Sequence, residues 1–205
     1  MRGKWIRHAA CVVLMSSFAA CAAHAEPIYL PSPAGTERFS RSAVNSSALE
    51  ILRYAETERR QTFCGPTSLA IAMNSLGIND PTPVSLYPYH LVTQDSVFTP
   101  ANLAIQSYED VERGGLTLDQ LAQFSTNLKL SASVLHAADL SAEDVRARLI
   151  AALGQSDSRV IVNFARASLS QEGGGHFSPL VAYDPAQATR SSSLTLPGTN
   201  TRQPW

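Results

Sequence analysis

The chain has 205 residues, with 16 Lys and Arg set against 17 Asp and Glu, for a formal net charge of −1. That balance, with no basic cluster after the first residues, argues against a nucleic-acid partner and gives no patch for an anionic membrane. A hydrophobic fraction of 44% with 16% charged residues lies in the globular range and supplies the core of one compact domain.

Residues 1–25 read as an export signal. Arg2, Lys4 and Arg7 form a positive start, an apolar stretch covers 9–20, and Ala23-His24-Ala25 makes a cleavage site ahead of Glu26. The stretch is too short for a comfortable membrane span. Phe18-Ala19-Ala20-Cys21 is a weaker lipobox, so membrane attachment is expected only through a lipid on Cys21. The expected location is therefore periplasmic or secreted. Cleavage also removes Cys11 and Cys21, leaving Cys64 as the one thiol of the mature chain in an oxidising compartment.

Residues 26–46, rich in Pro, Ser and Gly, are expected to form an extended arm. Ser47 then opens a helix, with Glu50 completing a capping box and Leu49, Leu52 and Ala55 on one face. A second apolar helix is expected over 67–76 and stops at Gly77, and residues 80–100 read as a long ordered loop. Further on, 117–128 has helical periodicity with Leu118, Leu121, Ala122 and Phe124 inward, and 131–135 alternates like a short strand. Ser141 caps a helix through Leu153, with Glu143 and Asp144 in its first turn. Residues 160–164 form a buried strand, and another begins at His176 after three glycines. Helices first and strands later make an α+β domain with a nucleophile helix packed on a small sheet.

Cys64 precedes Gly65-Pro66-Thr67-Ser68 and the helix, so its sulfur falls at a helix start, where free N–H groups and the dipole favour the nucleophilic thiolate. Pro66 suits a first helical turn, and Gly65 leaves room for a substrate. The bland alternative is a buried core cysteine. A base is needed, and among His90, His136 and His176 the last is preferred because it opens an apolar strand far from Cys64 in sequence. His90 and His136 are expected to make ordinary surface or polar contacts.

Several segments carry a resemblance: Gln61-Thr62-Phe63-Cys64-Gly65-Pro66-Thr67-Ser68, residues 73–78, Thr93-Gln94-Asp95, residues 115–121, and Gly174-Gly175-His176-Phe177-Ser178-Pro179-Leu180. In this order, over residues 47–185, they resemble a bacterial phytochelatin synthase. The resemblance implies a papain-like fold with the nucleophile helix on a small antiparallel sheet. It implies action on glutathione or related γ-glutamyl thiol peptides: the cysteine expels glycine, and the γ-glutamylcysteinyl enzyme passes to a second glutathione or to water. It casts Cys64 as nucleophile and His176 as base, and places Asn163 and the Gly175 backbone against the acyl group. No cofactor is required. Cadmium or zinc enters as a metal–thiolate form of the substrate, and the chain has no thiolate cage of its own. An oligomer, if formed, is expected to be a homodimer.

Two departures count against activity. The family's oxyanion-hole glutamine stands six residues before the nucleophile, where this chain has Glu58, whose ionised carboxylate would repel a developing oxyanion. The family's third catalytic residue, an aspartate about eighteen residues after the histidine, corresponds to Leu194. Asp184 is a poor substitute, since eight extended residues span roughly 26 Å. Residues 189–204, back-translated and read one base out of frame, can spell an apolar strand carrying an aspartate, so 186–205 is read as an aberrant, irregular tail. Two rival readings follow: a papain-like peptidase acting on other peptides, and an inactive truncated remnant that binds thiol peptides without turnover.

Overall fold

The computed structural model describes residues 28–42, 44, 46–78, 90–169, 171–184 and 193–195. The expected leader at 1–25, much of the loop at 80–100 and the tail apart from 193–195 lie outside the described residues. Helices α1 (Pro33–Arg41), α2 (Ala48–Arg53), α3 (Cys64–Ser75), α4 (Pro100–Leu103), α5 (Tyr108–Gly114), α6 (Leu118–Asn127) and α7 (Ala142–Leu153) precede strands β1 (Val160–Ala165), β2 (Gly175–Tyr183) and β3 (Ser193–Thr195). Short 3-10 turns lie at Ala137–Asp139 and Arg166–Leu169. The class is therefore α+β.

Helix α3 is the centre of the fold. Eleven of its twelve residues are buried, which is the signature of a helix that is covered on every side. Its Leu69 and Met73 pack with Leu121 and Phe124 of α6 and with Val97, while Ile71 meets Ile51 of α2 and Val181 of β2. The helix ends where Gly77, at φ +67°, takes the left-handed position, and Ile78 N–H returns to Met73 O.

The sheet is antiparallel in the order β1-β2-β3. Central β2 is buried along its length after Gly175, sending Phe177 towards the α3–α6 core and Leu180 into a second cluster with Val145, Leu149 and Val160. In β1–β2, Asn163 pairs with Phe177 and Phe164 with His176.

Behind α3, the buried guanidinium of Arg159 donates to Ser75 Oγ (2.8 Å), Ser75 O (2.7 Å), Ser47 Oγ (2.9 Å), Ser156 O (2.8 Å) and Ser158 O (2.6 Å). These bonds tie the carboxyl end of α3 to the entry of β1.

Several local expectations are corrected. The segment expected to be an extended arm contains α1, whose Ser32 side chain caps Gly35 N–H ahead of Pro33. Ser47 does not cap α2, because its hydroxyl accepts from Arg159 instead. Residues 131–135 form no strand among the described residues, although Ala132 and Val134 pack on one core cluster and Leu135 on another. The tail is not wholly irregular, since Ser193–Thr195 pairs with β2. By contrast, Ser141 caps α7 at Asp144 as expected. A reciprocal capping box of Thr117 and Gln120, which the sequence reading did not name, starts α6.

Candidate active site

Cys64 is the first residue of α3 and is 8% exposed. The residue before it, Phe63, is an anchor: its ring stacks edge-on with Tyr108 at 5.3 Å and tilts against Phe98 at 5.7 Å. Pro66 needs no donor in the first turn. Gly65 borders core side chains and not the open space expected for a substrate: a Cβ there would meet Leu116, Phe177 and Leu121 at 3.4–3.6 Å, ordinary contact distances.

The fold sets the start of α3 against the β2 segment that carries His176, with the Phe177 ring packed beside Gly65. The backbone amides of Phe177, the residue after His176, and of Gly65, in the same first turn, lie near enough to favour the Cys64 thiolate. Glu58 joins them from the segment before α3, its Oε1 lying 4.0 Å from His176 Nδ1, with both side chains almost wholly buried. Gln94 holds that segment in place. Its side chain accepts from Arg59 N–H at 2.9 Å and donates to Thr57 O at 2.7 Å, clasping the backbone on either side of Glu58. Arg59 itself turns outward to Asp95.

Arg166 completes the cluster. Its Nη2 lies 3.0 Å from His176 Nδ1. A guanidinium only donates, so Nδ1 offers its lone pair and the proton of the neutral ring sits on Nε2. Arg166 is placed by the turn joining β1 to β2: its N–H bonds Gly174 O, its carbonyl accepts from Gln171 N–H, and its side chain lies along Gly173. Gly173 has φ +107° and would set a Cβ 3.0 Å from Arg166 Cδ, so glycine is required there. Phe164 stacks edge-on against the His176 ring at 5.5 Å. Among the described residues, buried His176 Nε2 has no hydrogen-bond partner.

These surroundings set the charges. Burial, aided by the Arg166 charge, pushes His176 down to about 3, so its imidazole is neutral in the resting fold. Burial lifts Glu58 to about 7 against the opposing pull of Arg166. Cys64 is raised as well, first by burial and then by Glu58, and the amides of Phe177 and Gly65 offset this only in part. The expectation of a resting thiolate is thus overturned: desolvation outweighs the helix-start effect, and the thiol is neutral near pH 7. The expectation of an ionised Glu58 is likewise corrected to a carboxyl that is about half neutral there.

Asn163 sits half-buried on β1 with Oδ1 facing the Gly175 backbone, within 3.7 Å of where a Cβ would stand. Leu194, where the third catalytic aspartate was expected, pairs with Ala182, six residues or roughly 20 Å along β2 from His176. Asp184 is buried beyond the far end of β2. His136 is a surface residue whose Nε2 lies 3.8 Å from Asp119 Oδ1. Sequence reasoning did not find Arg166 or the Gln94 clasp. The available signals were a lone arginine just after β1, and a buried-type polar residue inside a segment that already carried the resemblance.

Comparison with known proteins agrees with the motifs. Glutathione gamma-glutamylcysteinyltransferase 3 of Lotus japonicus is 26% identical over 177 residues, covering 84% of this chain and 35% of that protein. Glutathione gamma-glutamylcysteinyltransferase 1 of Triticum aestivum is 24% identical over 165 residues, covering 75% of this chain and 32% of that protein. The chain thus spans about a third of the length of these relatives. The phytochelatin synthase family matches across residues 21–190, which take in Glu58, Cys64, Asn163, Arg166, Gly175 and His176, and the chain belongs to that family.

Proposed function

We propose that this chain is a cysteine-nucleophile acyltransferase acting on glutathione, on a papain-like catalytic fold. The observation that carries the reading is the convergence of Cys64, at the start of α3, with the β2 segment of His176, inside a family whose relatives are named for γ-glutamylcysteinyl transfer. In this reaction Cys64 Sγ attacks the cysteinyl carbonyl of glutathione. The thiol proton passes to His176, the carbonyl electrons move onto oxygen, and the intermediate collapses as His176 returns the proton to the departing glycine amine. The thioester on Cys64 is then resolved by water, giving γ-glutamylcysteine, or by a second glutathione, extending the peptide.

The Arg166 contact adds a condition. His176 can take a proton at Nδ1 only after the guanidinium has moved off that lone pair. Asn163 and the Gly175 backbone bind the acyl group in this reading, which the approach of Asn163 Oδ1 to Gly175 supports. Metal enters as the thiolate complex of the substrate. The mature protein begins after Ala25 and works in the periplasm or outside the cell. A second reading, a thiol-peptide binder with little turnover, is favoured by the unpaired Nε2 of His176 among the described residues.

Rapid quench of the purified protein with glutathione, followed by mass spectrometry, tests the proposal. The expected result is one γ-glutamylcysteinyl adduct on Cys64 together with glycine release, both abolished in Cys64→Ser. Glycine release that survives in Cys64→Ser removes this residue from the mechanism, and glutathione binding without an adduct establishes the second reading.

A further inference from the structure

We infer that Glu58 takes the part of the orienting carboxylate that position 194 lacks: lying 4.0 Å from His176 Nδ1, it holds the imidazole with that nitrogen protonated and leaves Nε2 as the basic atom. The inference deepens the acyl-transfer reading of this site and rests on it.

Leu194 stands opposite a point roughly 20 Å along β2 from His176, and Asp184 is buried beyond the far end of that strand, so neither position brings a carboxylate to the imidazole. Glu58 does. It reaches the ring from the segment before α3, and the two side chains are only 3% (His176) and 5% (Glu58) exposed. Its backbone is fixed, because Gln94 binds the peptides on either side and Arg60 and Thr62 fasten to Glu112 of α5. The ring is held as well, with Phe164 paired to His176 across β1–β2 and packed edge-on against it at 5.5 Å. The 4.0 Å separation is about 1 Å beyond a hydrogen bond. Side-chain torsions of Glu58 close that gap without moving either backbone.

In the resting fold Nδ1 is engaged by Arg166 Nη2 at 3.0 Å, so the ring proton sits on Nε2, which has no hydrogen-bond partner among the described residues. When the guanidinium turns away, Glu58 is the carboxylate beside Nδ1. A carboxylate favours the tautomer with Nδ1–H, and Nε2 then carries the lone pair. Neutral imidazole holds one proton in either tautomer, so the exchange runs through water and changes no charge. As Cys64 Sγ bonds the carbonyl carbon, the thiol proton passes to Nε2 and the carbonyl electron pair moves onto oxygen. The imidazolium so formed directs Nδ1–H at the Glu58 carboxylate, which stabilises it. As the carbon–nitrogen bond breaks, the Nε2 proton goes to the glycine amine and the ring is neutral again. Glu58 keeps its charge throughout and touches no reacting atom, which makes it a positioning residue.

The titratable and charged groups around Glu58 are Cys64 of α3, Arg166 of the turn after β1 and His176 of β2, with Glu56 and Arg59 on its own segment. Burial raises Glu58 to about 7 against the pull of Arg166, so the ionised form grows in as pH rises through neutrality. The full chain and Glu58→Gln are compared by glycine release from glutathione between pH 5.5 and 9, with thermal melts of both. In parallel, the ring nitrogens of His176 are read by NMR in Cys64→Ser, with and without Glu58→Gln, in saturating glutathione. Exchanging an orienting carboxylate for its amide costs about 10⁴ in kcat in a serine protease, and we expect Glu58→Gln to lose about 10²-fold or more in kcat with KM within about threefold. The ratio of wild type to variant should rise about tenfold per pH unit below about pH 7 and level off above it. With glutathione bound, His176 should be protonated on Nδ1 beside Glu58 and on Nε2 beside Gln. The variant should melt no lower than wild type, which separates lost catalysis from lost folding.

Three results overturn the inference. Glu58→Gln that is at least as active as wild type shows that the position works without a carboxylate. His176 that keeps its proton on Nε2 in the glutathione complex, with Glu58 intact, shows that Glu58 does not set the tautomer, even where glycine is released. Wild-type protein that neither binds glutathione nor releases glycine removes the acyl-transfer reading itself, and the role of Glu58 with it.

Discussion

Glu58 and His176 should make the stability of this protein nearly independent of pH across a range where most proteins vary, and Glu58→Gln should expose the compensation. The Glu58 carboxyl is raised from 4.5 to about 7, so between these values the folded chain holds a proton that the unfolded chain has released, and stability falls as pH rises. His176 is lowered from 6.5 to about 3, so across that window the unfolded chain holds the extra proton and stability rises with pH. Between 4.5 and 6.5 the two slopes cancel: folding moves one proton from the imidazole to the carboxyl without changing the number bound. At 1.36 kcal/mol per unit, the full cost is about 3 kcal/mol for Glu58 above pH 8 and about 5 kcal/mol for His176 below pH 3. Removing the carboxyl lifts its share, which is about 1 kcal/mol at pH 5.5 and about 3 kcal/mol at pH 8. Relative to wild type, Glu58→Gln should therefore gain about 2 kcal/mol between these two conditions, or roughly 4–8 °C in Tm for a chain of this size. Paired urea titrations and thermal melts at pH 5.5 and 8 measure the difference. Wild-type and variant curves that run parallel from pH 5 to 8 would show that Glu58 is ionised in the fold, and the argument would fail.

Native alkylation of Cys64 by iodoacetamide should be slow at pH 7 and accelerate only towards and beyond pH 9, with denaturant restoring fast labelling; rapid native labelling at pH 7 would contradict a buried, neutral thiol. Arg166→Met should raise the His176 pKa in an NMR titration yet leave it below 6.5, because burial is the larger cause; no movement would place the guanidinium away from Nδ1. Phe63→Ala should cost about 3–5 kcal/mol by opening the aromatic cluster with Phe98 and Tyr108, and denaturant unfolding gives the value. Arg159→Met should cost about 2–4 kcal/mol by stranding Ser75 O, Ser156 O and Ser158 O; a loss below 1 kcal/mol would mean water replaces the guanidinium.

The parts of the fold written in local chemistry were readable from the sequence. The Ser141 cap on α7 and Gly77 at the end of α3 are signals whose partners lie within a turn or so, and each appears where expected; the Thr117–Gln120 capping box is written in the same local code but was not read. The start of α1 was written in the same code, with Ser32 capping ahead of Pro33, but was obscured by the Pro, Ser and Gly content around it. Ser47 shows the opposite case, a good capping residue taken over by Arg159 from 112 residues away. Alternation at 131–135 reported burial correctly but not pairing, since an extended segment can bury alternate side chains without a neighbouring strand. At the site, Cys64, His176 and Glu58 were identifiable as residues, whereas their charges were not. Those depend on burial and on Arg166, which the β1–β2 turn brings onto His176.

The five bonds of Arg159 also bear on how the site can move. They clamp the last turn of α3 and the first residues of β1 to a single side chain, so the two elements bearing Cys64 and Asn163 behave as one piece anchored at the end remote from the thiol. Adjustment for a substrate then falls to the half-exposed turn holding Arg166, since the segment before α3 is held by Gln94, by Arg60 on Glu112 and by Thr62 on Glu112 O. On the proposed acyl-transfer reading the fold is in this sense a fixed jaw carrying Cys64 and a looser jaw carrying the Arg166 guanidinium. Substrates should be sorted by how well they draw the looser jaw off His176, more than by any reshaping of the wall behind the sulfur.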